Sequence, residues 1–554
     1  MLAPSPTPSP TLSPSSDTLD RLTRLEEEHR RTCEQNTHLI ERNTLLTEEV
    51  KWLKGQLFGR SSEKSAREIS ADQALLFNEA EVLAAIAAAD AQEANKVTPI
   101  AAHERKVKPG RKAIPEQFPR ISVLHDIPED QKLCPHDGTA LVRIGEETSE
   151  QYDYVAPQLR VLRHERPKYA CPCCHEGVKI APPPAQLLPK SMASPSLLAH
   201  ITTAKFVDGL PLTRQSNQFA RLQLNLGAGT MGSWVNTIGA EKVAPLITLM
   251  NEALLEEPFI HCDETPVQVL KSNKAPSSEH YMWVRAAGPP DRRIVLFHYS
   301  PTRNVAELEQ LLTGPDGRYR GKLVTDGLKI YDSLGEAWGL LQFGCLSHCR
   351  RYYVQAQKVS QLPSGRSLAA VAIKQYIGGL YGLEREIKAL RERRAQTAEP
   401  VSLAEVLAIR QDKGVPIAVA FKQWLDDIGP GVTPTSAIGK AISYSVSQWP
   451  KLVRYLEHPE IPADNNYIEN QIRPFAVGRR SWMFCDTQLG ARASANLFSL
   501  VNTAKANGLE PLAYLTHLYT NLAGATTLAQ IEALLPWNVK PLLKQSTQQT
   551  HAAA

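Results

Sequence analysis

The chain has 554 residues, a formal net charge of +4, 42% hydrophobic and 22% charged residues, values ordinary for a folded globular protein of several domains. No run approaches 18 consecutive apolar residues, which excludes a membrane span, and nine cysteines are too few for a disulfide scaffold. The weakly basic balance is compatible with a nucleic-acid partner.

The start, MLAPSPTPSPTLSPSSD, has neither a basic region nor an apolar run. No secretory signal is expected, and a cytoplasmic protein, nucleoid-associated when bound to DNA, is the expectation. Residues 1–16 are Pro, Ser and Thr and are read as a disordered tail. Over 17–58 the apolar residues Leu22, Leu25, Leu39, Leu46, Val50, Leu53 and Leu57 fall on a seven-residue grid. This predicts a coiled coil that makes a homodimer or higher oligomer, with Asn36 and Asn43 at inward positions where Asn fixes register. An Ala- and Glu-rich stretch follows. Then Arg105, Lys106, Lys108, Arg111 and Lys112 surround Pro109-Gly110. Residues 59–125 are therefore expected to form a DNA-binding region with an extended basic arm suited to phosphates or a minor groove.

Residues 126–181 carry a cysteine cluster, the expected zinc-finger-like domain. Cys134-Pro135-His136-Asp137-Gly138 has the shape of a zinc knuckle with Asp137 in the place of a cysteine, and Cys171 and Cys174 form a C-x-x-C pair. A closed zinc site needs four ligands. Cys134, Cys171 and Cys174 supply three, and His136 or Asp137 the fourth, with Cys173 or His175 in reserve. A zinc deaminase is excluded, because the H-x-E at His458–Glu460 lies far downstream of the cysteines.

The Pro-rich stretch at 181–196 marks a boundary. Residues 196–257 read as a helical domain. From 258 the period changes to that of strands: FIHCDETPVQVL, HYMWVRAA and RIVLFHYS make an antiparallel meander. A helix, the strand GKLVTDGL, a short helix and the strand in FGCLSHC complete 258–355. Three meandering strands, a helix, a strand, a helix and a strand is the order of an RNase H-like core. Residues 356–460 read as a helical insertion, 461–510 as the last part of the core, and 511–554 as C-terminal helices and tail. The fold class expected is multidomain α+β.

Three acids stand out by their elements: Asp263 in the first strand, Asp326 at the end of the fourth, and Glu469 in a probable helix start that Asp464 or Asn465 would cap. Taken singly, an Asp before Gly is a turn residue and a helical Glu is a solvated one. Their joint placement favours a site where three carboxylates hold two Mg²⁺ (or Mn²⁺) ions for phosphoryl transfer. Glu264, Asp332 and Asp464 compete with them. Strand alternation puts Asp263 and Glu264 on opposite faces.

At these residues the chain resembles the large transposase of the insertion-sequence-66 type, a bacterial DDE transposase. The matching stretches are LKGQLFGRSSEK, CPHDG with YACPCC, HCDETPVQVL, VTDGLKIYD, GCLSHCRRYY, DNNYIENQIRPFAVGRRSWMF, NTAKANGLEPLAYL and LLPWN, spanning roughly 50 to 540. The resemblance implies metal-dependent cleavage of double-stranded DNA at transposon ends and strand transfer into target DNA. It also implies an α-helical insertion between the second and third acids, and small accessory proteins. The 143 residues from Asp326 to Glu469 fit such an insertion. Asn470 and Cys349 depart from the family pattern, though neither replaces a carboxylate. Cys345-x-x-His348 resembles an element near the scissile phosphate in several DDE transposases, which makes His348 a catalytic candidate. Arg350, Arg351, Arg473, Arg479 and Arg480 are candidate phosphate clamps, and Trp482 and Phe484 candidate stacking groups. The alternative is a catalytically inactive, dimeric, zinc-containing DNA-binding regulator.

Overall fold

A computed structural model describes residues 159–169, 179–275, 278–360, 367–395 and 399–539, with Arg24, Glu27, Arg30 and Arg31. The tail 1–16, the basic arm from Arg105 to Lys112 and the cysteine cluster lie outside the described residues. So does the expected coil apart from those four positions, which are helical. There Glu27 lies 3.8 Å from both Arg30 and Arg31, at the i+3 and i+4 spacings that meet on a helix surface.

The centre of the protein is one mixed sheet. Strands β1 (Phe259–Lys271), β2 (Glu279–Ala287), β3 (Ile294–Ser300), β4 (Lys322–Val324) and β5 (Leu341–Phe343) lie in the order β3-β2-β1-β4-β5. The first three pair antiparallel as a meander, while β4 and β5 run parallel to β1 and each other. Helix α5 (Val305–Leu311) precedes β4, and α6 (Lys329–Trp338) crosses from β4 to β5. Parallel neighbours need such a crossover, whereas the meander needs only turns.

Strands β2 and β3 are buried on both faces over most of their length, which is why they read as nearly continuous apolar runs. Strand β3 is a sheet edge, and its ladder groups are satisfied by a helix, α13 (Gln488–Ala506). Ser499 Oγ accepts from Phe297 N at 2.8 Å, Thr503 Oγ1 from Val295 N at 3.0 Å, and Asn507 Oδ1, just past the helix end, from Arg293 N at 3.1 Å. These side chains recur every four residues down the helix, matching every second residue of the strand. The edge is thereby closed to further pairing.

Helices α1 (Pro195–Phe206), α2 (Leu212–Arg221), α3 (Ala228–Thr237) and α4 (Ala244–Leu255) were expected as a separate domain. Instead they share one hydrophobic core with the sheet, Leu198, Met231 and Met250 joining Val295, Phe297 and Phe498. A π-turn at Ile238–Lys242 brings Gly239 so close to α13 that an added Cβ would stand 2.5 Å from the carbonyl oxygen of Ala493.

The expected insertion is helical, with no strand among the described residues of 346–458. Its main elements are α7 (Leu346–Val359), α8 (Gly378–Arg394), α9 (Leu403–Ile409), α10 (Val415–Ile428) and α11 (Ala437–Val453). They build a second core around Tyr353, Leu380, Phe421 and Ile438, which takes in Val324 and Phe343 from β4 and β5. The chain then returns through α12 (Asn466–Trp482), a short strand β6 (Cys485–Thr487), α13 and α14 (Pro511–Leu522). Strand β6 falls within residues 461–510, the expected last part of the core. It pairs parallel with the far end of β1, Cys485 opposite Val269. Among the described residues no helix is long and apolar enough to cross a membrane.

Candidate active site

Strand register brings the first two acids together. His261 on β1 lies opposite Val324 on β4. Asp263 and Asp326 are each two residues further on, so both continue the same side of the parallel ladder. Asp326, expected at the end of the fourth strand, sits two residues beyond the observed end of β4. The turn there depends on Gly327, whose φ is +92° and whose missing Cβ leaves room for Gln448, 3.0 Å from where that atom would lie. Asp326 Oδ1 accepts from Leu328 N at 3.1 Å, and Tyr444 of α11 donates to the Asp326 carbonyl at 2.8 Å.

Glu469 reaches the same place from the first turn of α12. Asn465 is the residue before that helix, yet its side chain does not cap it. Asn465 Oδ1 accepts from His261 Nδ1 at 2.7 Å, and its Nδ2 donates to the Cys262 carbonyl at 3.0 Å. The helix start is thus fastened directly to β1 at the two residues that precede the first acid. Burial holds His261 down to about 4, so its ring is neutral and its Nδ1 carries the proton. Asp464, one residue earlier, accepts instead from the first N–H of the helix, Asn466 N, at 3.1 Å.

The electrostatics follow from this crowding. Burial, and then the charges of Asp326, Glu264 and Glu469, push the Asp263 carboxyl well above the usual carboxylate range. Glu264 faces the other way, where Tyr331 Oη donates to it at 2.7 Å and Arg303 lies at 3.3 Å. Burial first, and then Asp326, raise Glu264 to about 7. The other competitors also have protein partners: Lys451 pairs with Asp332, and Tyr381 donates to Asp464 at 3.0 Å.

A cationic cradle from α7 holds Glu469. Arg351 Nη2 lies 3.3 Å from Glu469 Oε2, and Arg351 Nη1 donates to His348 Nε2 at 3.1 Å. The proton of the neutral imidazole therefore sits on Nδ1, 3.4 Å from Glu469 Oε1. Burial, helped by Arg351, holds His348 down to about 3. Cys345, the residue before α7, completes a group with His348 and Glu469 whose donor atoms lie within 4.8 Å of one another.

The expected clamp arginines separate by place. The Arg351 side chain is 10% exposed and committed to Glu469, not a surface clamp. Arg479 is half-buried and donates to the Pro266 carbonyl on β1. Arg350 and Arg473 are half-buried, and Arg480 is exposed. Trp482 is no free stacking group, since its ring packs on Phe475 with centroids 5.5 Å apart and carries Lys205 at 5.5 Å. Phe484 is exposed. The cradle role of Arg351 and the fastening role of Asn465 escaped sequence reasoning. Their signal was spacing: Asn465 lies four residues before Glu469, and Arg351 three after His348.

Comparison with known proteins places this geometry. Residues 190–493 match the family model described as "Transposase IS66 family". The chain belongs to the IS66 transposase family. Residues 131–175 match the "zinc-finger binding domain of transposase IS66", a span that contains Cys134, Asp137, Cys171 and Cys174. Residues 45–123, which include the basic arm, match "Transposase C of IS166 homeodomain", and 499–537 match the "IS66 C-terminal element". Two similar proteins come from Sinorhizobium fredii. "Uncharacterized protein y4jD" is 33% identical over 439 residues, 77% of this chain and 81% of that one. "Uncharacterized protein y4qI" is 30% identical over 419 residues, 73% of each. As an IS66 transposase the chain has a zinc-finger domain, and DNA is its natural partner.

Proposed function

We propose that this transposase cuts DNA at insertion-sequence ends and joins the freed 3′-hydroxyl to target DNA, with Asp263, Asp326 and Glu469 as its metal-holding acids. The observation that carries this reading is the electrostatic contact of three acids, from β1, the end of β4 and the start of α12, that lie 63 and 143 residues apart in sequence. The strand order β3-β2-β1-β4-β5 supports an RNase H-like core, whose first and fourth strands carry acids side by side.

The donor set fits divalent magnesium or manganese. All three groups offer hard oxygen atoms, and burial followed by the neighbouring acids pushes Asp263 up, a cost that a bound cation would relieve. When bound, such ions activate the attacking oxygen and stabilise the leaving one. The residues of the chain do the rest. Asp263 and Asp326 are fixed by the parallel ladder and the Gly327 turn, and Glu469 is aimed by Arg351 and His348. Arg473, one turn beyond Glu469, is placed to meet a phosphate. In cleavage a water oxygen forms a bond to phosphorus, and the 3′-oxygen leaves as a hydroxyl. In joining, that hydroxyl attacks a target phosphate and displaces the target's own 3′-oxygen, so each step exchanges one phosphorus–oxygen bond for another. Zinc in the finger and dimerisation through the coil belong to this proposal, as do accessory proteins.

The test is nicking and joining of duplex DNA from the inverted repeats flanking the gene, with Mg²⁺. Wild-type protein should leave 3′-hydroxyl ends. Asp263→Asn, Asp326→Asn and Glu469→Gln should each lose on the order of 10²–10³-fold or more of the rate while still shifting the DNA in a gel. Retained cleavage in one variant removes that residue from the site. Binding without nicking by the wild type favours the inactive regulator.

A further inference from the structure

The far end of α12 carries a feature that the chemistry above does not use. The helix stops at Trp482, and Met483 follows with φ +60° and ψ −48°. Phe484 N donates back to the Trp482 carbonyl at 2.7 Å, so the three residues form a γ-turn of the rare, strained kind. The turn holds two large apolar side chains out in solvent: Met483 is 68% exposed and Phe484 42%. Trp482 and Phe475 pack beneath it, and β6 pins the next residues to the end of β1. The tip is therefore rigidly backed. From Asn470 to Cys485 the chain has three arginines and no acid, with Arg480 exposed. An apolar tip at the end of a basic stretch that is free of acids from Asn470 to Cys485 is complementary to a polyanion with an apolar interior.

We propose that Met483 and Phe484 are a wedge that enters a base step of the DNA held by α12, unstacking it beside Arg480. Small apolar wedges of this type open base steps and kink duplexes. This rests on the transposase reading only for the identity of the DNA. The fold sets the distance. Fourteen helical residues from Glu469 to Met483 span about 21 Å. The six strand residues from Asp263 to Val269, opposite Cys485, span about 20 Å. At roughly 3.4 Å per base pair, the opened step lies about six base pairs from the phosphate under attack.

The test compares the affinity of the full-length protein for two 30-base-pair duplexes that are identical except for one central abasic site. A prepaid unstacking cost should make wild type bind the abasic duplex about tenfold tighter. Met483→Ala combined with Phe484→Ala should bring that ratio towards one, Phe484→Trp should keep it, and Arg480→Ala should weaken both duplexes with the ratio intact. Both positions are exposed, and circular dichroism checks that the variants fold. Equal wild-type affinities, or a ratio unchanged in the double variant, overturn the wedge. So does a change in self-association by light scattering in place of the ratio, which would make the tip a protein contact. Nicking with a ratio of one sinks the wedge alone. A ratio near ten without nicking sinks the cleavage reading and leaves the wedge standing.

Discussion

At the residue scale, the third acid depends on a neighbour that sequence motifs treat as surface. Glu469 carries the charge, and Arg351 meets one of its oxygens while the His348 ring lies beside the other. Partners that orient a metal-binding carboxylate typically matter by 10–100-fold in affinity or activity. Arg351→Ala should therefore raise the Mg²⁺ concentration needed for half-maximal nicking by about 10–100-fold, with Arg351→Lys recovering part of it. An unchanged Mg²⁺ requirement would show that Arg351 does not position the acid. The elements that carry the three acids were legible in the sequence from local pattern: a strand around Asp263, a strand ending just before Asp326 and a helix start at Glu469. Strand alternation also separated Asp263 from Glu264, and the structure gives Glu264 its own partners in Tyr331 and Arg303. The contacts of Asn465 and Arg351 were not legible, because both are formed with residues more than 100 positions away.

At the element scale, the meander could be read because its strands alternate or run apolar, whereas β6 could not. Three residues carry no periodicity, and only the far end of β1 makes them a strand. The merging of α1–α4 with the sheet was hidden for the same reason, since a composition boundary says nothing about a shared core. The polar stripe Ser499, Thr503, Asn507 on α13 is a case where the sequence held a signal without its meaning. Four-residue spacing marks one helix face, but nothing local says that the face is turned to a strand edge. Thr503 both accepts from Val295 N at 3.0 Å and donates to the Val295 carbonyl at 2.9 Å. Thr503→Val keeps the shape and orphans two buried backbone groups, so it should destabilise the fold by about 1–3 kcal/mol in urea unfolding. Thr503→Ser should lose much less. Equal losses for the two would assign the effect to packing.

At the scale of the whole molecule, the sheet and the insertion converge on a concentration of negative charge that the fold alone does not neutralise. Asp263 is pushed up, and Glu264 rises to about 7 from an ordinary 4.5. A raised carboxyl means that the folded state binds more protons than the unfolded one between those two values, so stability falls as pH rises from about 4.5 to about 7 and stays low above. A divalent cation bound between the acids supplies the same relief as a proton, and it does so best where the protons are gone. Mg²⁺ should therefore raise the thermal midpoint at pH 8 and have little effect at pH 5. At a hundredfold excess over its dissociation constant the gain is about 2.7 kcal/mol. Asp326→Asn should lose most of that gain. It should also be more stable than wild type at pH 8 without metal, because one of the repelling charges is gone. Scanning calorimetry at the two pH values, with and without Mg²⁺, reads all of these outcomes. A wild-type midpoint indifferent to Mg²⁺ at pH 8 would mean that the carboxylates are not a cation site. The same midpoint lifted equally in Asp326→Asn would place the ion somewhere else.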